Sequence, residues 1–121
     1  MFIIVNVRKA IAMIRGTTPT LRFKIPYTAE QIKLGYITFS RKGEVFLDIP
    51  FDDSRVSIED KCIYVTFSQE DTLKFNSRAL YSAQLRILLH DPEDQGSSSD
   101  VAVASNIITI SVDAILKNGV I

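Results

Sequence analysis

The chain has 121 residues, 46% of them hydrophobic and 23% charged, which by size is one globular domain and too apolar for a disordered segment. Lysine plus arginine and aspartate plus glutamate number 14 each, so net charge gives no argument for nucleic acid or a membrane surface. The single cysteine, Cys62, excludes an internal disulfide framework and a multi-thiolate metal centre.

The N-terminal stretch "MFIIVNVRKAIAMIRG" is apolar, but Arg8 and Lys9 follow the apolar run instead of preceding it. The run is short for a signal-peptide core and too short to cross a bilayer, so neither an export signal nor membrane insertion is expected. Residues 1–12 are expected to form an extension carrying an extra strand, and residues 13–121 a single domain. Charge is unevenly spread: residues 1–43 hold eight cations against one acid, and the remainder holds six against thirteen. Strands from both parts are expected to interleave in one sheet so that these charges cancel in space. The sharper reading is a dipolar molecule that docks plus to minus on its neighbours.

Six runs then alternate apolar and polar residues with period two. "TLRFKI" sets Leu21, Phe23 and Ile25 on one side, and "YITFS" sets Ile37 and Phe39. "EVFLDIPF" lines up Val45, Leu47, Ile49 and Phe51, and "CIYVTFS" lines up Ile63, Val65 and Phe67. "YSAQLRILLH" and "NIITISV" do the same with Tyr81, Ala83, Leu85, Ile87 and Leu89, and with Ile108, Ile110 and Val112. Period two marks a strand with one face in a core. "FIIVNV" offers a seventh, and turn signals such as Gly43 in "SRKGE" separate the runs. The expected fold is all-β, an antiparallel sandwich of immunoglobulin-like or jelly-roll-like type with one or two short helical turns.

Those helical turns fall in two segments. "YTAEQIKLG" places Thr28 at a cap with Gln31 three residues on and Gly35 as a stop. "SQEDTLKF" concentrates acids and hydroxyls that could suggest catalysis. Ser68 and Asp71, however, stand at the spacing of a reciprocal capping box, with Glu70 and Asp71 at the positive end of a helical turn. The capping reading is preferred.

No other pattern carries chemistry. His90 is the only histidine, and no G-x-S-x-G elbow exists for a nucleophile. Cys62 reads as a passive thiol. "HDPEDQGSSSD" imitates a calcium loop from Asp91, but its twelfth position is Ala102 where a bidentate glutamate is required, so a mobile hydrated tip is expected. No catalytic residue, metal site or cofactor is assigned.

"IRGTTPTLRFKIP", "YITFSRKGE", "VTFSQEDTLKF", "YSAQLRILLHD", "ASNIITISV" and "ILKNGVI" together resemble small structural proteins of phage tail modules of Gram-positive bacteria. They are similar in particular to the N-terminal β-sandwich of upper baseplate proteins. The resemblance covers residues 14–121, and "MFIIVNVRKAIA" precedes the family's usual M-I-R-G start. It implies a non-enzymatic component of a virion or phage-tail-like particle, synthesised in the bacterial host cytoplasm. Such a component docks other tail or baseplate subunits as a homo- or hetero-oligomer. The alternative is a ligand-binding sandwich module for carbohydrate or receptor, which lacks a tryptophan platform here.

The expected interface lies at the two ends. Phe2, Ile4, Val5 and Val7 face both sides of the first strand, more than one face of a single sheet can hide. Ile115, Leu116, Val120 and Ile121 leave an apolar terminus around an Asn118-Gly119 turn. Residues 2–7 are expected to add a strand to a neighbouring subunit or cover its core, with 115–121 at the same or an adjacent interface.

Overall fold

A computed structural model describes residues 2–3, 11–91, 100–117 and 119–121. Among these described residues ten strands run in chain order: β1 Phe2–Ile3, β2 Ile11–Ile14, β3 Thr20–Lys24, β4 Ile32–Arg41, β5 Glu44–Pro50, β6 Val56–Glu59, β7 Cys62–Thr66, β8 Ala79–Leu89, β9 Val101–Ser105 and β10 Ile108–Asp113. A 3-10 turn, Ala29–Gln31, precedes β4, and the helix α1, Gln69–Leu73, precedes β8.

The strands form two sheets. The smaller has the order β3-β7-β6, all antiparallel. In the larger, β8 is long enough to pair with β4 along one side and with β10 and then β9 along the other. β5 extends the sheet beyond β4, while β1 and β2 lie parallel to β9 and β10 at the opposite edge. This is the strand order of an immunoglobulin-like sandwich and not of a jelly roll. β3, β7 and β6 take the B, E and D places, and β5, β4, β8 and β9–β10 take the C′, C, F and G places.

The core is built from the alternation in the sequence. Leu21 and Phe23, Ile37 and Phe39, Ile63 and Val65, Tyr81 through Leu89 on every second residue, and Ile108, Ile110 and Val112 are all buried. Phe39, Phe67 and Phe75 meet edge to face, with ring centroids 5.6 to 6.2 Å apart, and so join β4, β7 and the end of α1. Such contacts suit the aromatic quadrupole and add to the area that burial removes from water.

Bulges depart from strict alternation in two useful places. The register of β4 on β5 slips between Phe39 and Ser40, which leaves Phe46 as an extra residue on β5. Alternation puts Val45 in the core; the bulge instead exposes Val45 and lays the Phe46 ring 4.8 Å from Phe75 and 5.1 Å from Tyr81. A second slip between Ile32 and Leu34 makes Lys33 the extra residue of β4 and turns its ammonium onto Asp100, 2.7 Å away.

Both expected helical turns are present, and only the stop of the first differs. "YTAEQIKLG" is only the 3-10 turn, whose Thr28 N–H donates to Gln31 Oε1 at 2.8 Å. Gly35 is not its stop. It lies buried inside β4, and the Phe51 ring sits where a Cβ would project. "SRKGE" turns through Lys42 and Gly43, at φ 52 and 80°, the paired left-handed geometry that a two-residue hairpin requires.

Candidate docking surface

The stretch that most resembles an active site is a helix start. Ser68 Oγ accepts from the Asp71 N–H at 3.1 Å, and Asp71 Oδ2 accepts from the Ser68 N–H at 2.9 Å. The other Asp71 oxygen binds Arg55 at 3.1 Å, and Arg55 also grips Asp53 through two nitrogens. That ion network ties the link after β5 to α1. The Arg55 hydrogen bonds hold the Asp53 carboxyl down at about 2. Sequence spacing identified the cap but missed Arg55, because Arg55 and Asp71 are sixteen residues apart in the chain.

Around α1, Thr72 and Tyr81 also make structural hydrogen bonds. Buried Thr72 accepts from the Gly16 N–H and donates to the Thr17 carbonyl, each at 2.9 Å, which locks the β2–β3 link to the helix. Tyr81 is only 2% exposed, and its hydroxyl accepts the Asn76 N–H at 2.9 Å. A strand-F tyrosine bonded back to the E–F corner is the tyrosine corner of immunoglobulin-like sandwiches. His90 is exposed at the end of β8, and Cys62 is buried beside Tyr64. Among the described residues, no three of histidine, cysteine, aspartate or glutamate stand where they could hold a metal ion.

The expected terminal interface divides into parts. Phe2 lies in β1, which pairs with β9 of its own sheet, Phe2 opposite Ala104. Ile4, Val5 and Val7 lie outside the described residues. At the other end the chain turns back on itself. Ile115 packs over Gly16, its Cδ1 2.9 Å from where a glycine side chain would start. Gln69 clasps the main chain of Ile121, accepting its N–H at 2.7 Å and donating to its carbonyl at 3.2 Å. The backbone of the tail is therefore anchored, while the side chains of Leu116 and Ile121 stand in solvent at 108% and 96% exposure.

A second apolar surface, marked by no pattern in the sequence, lies on the outer face of the large sheet. Cross-strand register sets Leu34 beside Leu88 and Ala102, and Tyr36 beside Pro50, Arg86 and Ala104. Leu34 and Tyr36 are 46% and 43% exposed. They form the shared wall of two shallow open grooves of about 360 and 210 Å³, one running toward Phe51 and Ile58 and the other toward Leu88 and Val103. Charges rim the patch: Arg86 within it, Asp52 at one side, and the Lys33–Asp100 pair at the end. Lys33 lowers the Asp100 pKa, and Asp100 also accepts the Asp91 N–H at 3.1 Å, closing the base of the β8–β9 connection. An apolar centre with a polar rim on an otherwise solvated sheet is the composition of a protein–protein contact.

Comparison with protein-family models and with curated proteins finds no match.

Proposed function

We propose that this chain is a non-enzymatic assembly protein that works by docking other subunits. Its setting is the one the sequence resemblance implies: a phage tail or baseplate, or a related tail-like particle built in a bacterial cytoplasm. The observation that carries the reading is the outer-face patch around Leu34, Tyr36 and Leu88. Apolar side chains on a flat, rigid sheet offer area and shape but no converging nucleophile, acid or base. In the acid-rich "SQEDTLKF", Ser68 and Asp71 are engaged by the reciprocal cap and by Arg55.

The test is co-sedimentation with particles from producing cells through a density gradient. The wild-type chain is expected in the particle fraction, and Leu34→Glu with Leu88→Glu is expected to stay at the top while melting cooperatively. A wild-type chain found only at the top overturns the reading. Retention of a small ligand by that same free chain would favour the binding-module alternative.

A further inference from the structure

We propose that copies of this chain associate side by side, head to tail, with the basic lateral edge of one against the acidic lateral edge of the next. The inference deepens the docking role and rests on it, naming a second copy of the chain as one partner.

The topology decides where the charges go. β3 and β6 are opposite edges of the small sheet, and β2 and β5 are opposite edges of the large one. Only residues 15–19 join β2 to β3, and only residues 51–55 join β5 to β6. Five residues span at most about 17 Å, enough to cross the roughly 10 Å between layers but not also the width of a five-strand sheet. β2 and β3 therefore share one side of the molecule, and β5 and β6 share the other. β4 does interleave between β5 and β8, as the sequence suggests, yet the edge charges do not cancel.

The first side presents Arg22 and Lys24, both exposed on β3, and Asp113 at the end of β10 opposite Ile14 of β2. The second presents Glu44 and Asp48 on β5, Asp52 in the link and Glu59 on β6, all exposed. The exposed cations there, Lys42 and Lys61, sit in the turns at the strand ends and not along the strands.

Each of these four strands has, among the described residues, one edge without a neighbouring strand. A bare edge is a template for pairing, and edge charges normally block it. Here the block acts only between like edges. β3 against β3 sets cation on cation and β5 against β5 sets acid on acid, whereas unlike edges attract. A contact between unlike edges is heterologous, so repetition closes a ring or runs on as a filament.

Sedimentation velocity of the purified full chain is the measurement. Association is expected at about 20 mM salt and its loss near 1 M, where the screening length falls to about 3 Å. Arg22→Glu with Lys24→Glu makes both edges acidic, and Glu44→Lys, Asp48→Lys and Glu59→Lys together make both basic. Each variant alone is expected to remain monomeric at low salt, and a 1:1 mixture is expected to assemble again. Where a multiple variant fails to fold, Lys24→Glu or Glu44→Lys alone carries the same comparison as a weakened association. A monomeric wild type at low salt, variants that assemble alone, or a mixture that stays monomeric overturns the proposal. A monomer that still travels with particles removes this inference and leaves the docking role. Assembly in solution without particle association does the reverse.

Discussion

Replacing Tyr81 with phenylalanine isolates the hydrogen bond that fixes the corner between α1 and β8. The ring is 2% exposed and packs against Phe46 and Phe75 at centroid distances of 5.1 and 4.8 Å, so a phenyl ring of the same shape keeps those contacts. What disappears is the acceptor for the Asn76 N–H. A fully buried amide left without a partner costs about 1 to 3 kcal/mol. Asn76 is itself exposed, so water can reach its N–H and the cost should fall at the low end, about 1 to 1.5 kcal/mol. For a chain of this length that is a melting-point drop of roughly 3 to 7 °C. Urea unfolding of Tyr81→Phe beside the wild type gives the difference directly, with the denaturant slope expected to be unchanged because the same surface is exposed. A stability within about 0.3 kcal/mol of the wild type, inside the range of neutral surface changes, would refute the view that this corner bond matters.

Three further changes test other parts of the frame. Ser68→Ala removes one half of the capping box and should cost about 1 kcal/mol by thermal melt, with no loss of particle association. Gly35→Ala drives a methyl into the Phe51 ring and should cost about 1 to 3 kcal/mol; Phe51→Ala in the same chain should remove most of that penalty, and a simple sum of the two effects would disprove the clash. Asp53 has its pKa lowered, so its bond to Arg55 contributes stability above about pH 4 that is lost as pH falls toward 2, and Asp53→Asn should flatten the wild-type decline across that window in acid melts.

Much of this fold is legible because sandwich strands declare themselves by alternation. The strands that escaped the sequence reading are those for which alternation has little to act on. β9 is "VAVAS", where small residues give no contrast, and β6 is a four-residue edge strand with no fully buried side chain. β2 reads as part of an apolar extension, yet Met13 is 1% exposed and its strand closes the large sheet across the expected boundary at residue 12. The bulge at Phe46 is invisible for a different reason. One inserted residue leaves the local pattern intact and changes only which half of it points inward.

The site was less legible than the fold, and the two ends explain why. Hydrophobicity at a terminus says that the segment needs cover, not who supplies it. For Phe2 the cover for the backbone comes from β9, and for Ile115 it comes from the bare Cα of Gly16, a space that exists only because glycine stands there. Gln69 adds a contact that no apolar pattern encodes, since its amide pairs with main chain fifty-two residues away. The outer-face patch is the converse case. Leu34 and Leu88 look like ordinary strand residues, Leu34 between Lys33 and Gly35 and Leu88 inside the apolar run Ile87–Leu89. Only the antiparallel register of β4 on β8 sets them side by side and turns scattered apolar residues into one surface. The edge charges obey the same logic. A block of cations early in the chain has no spatial meaning until the topology sends β3 to one border of its sheet and β6 to the other, and from that placement the molecule acquires a direction along which copies can add.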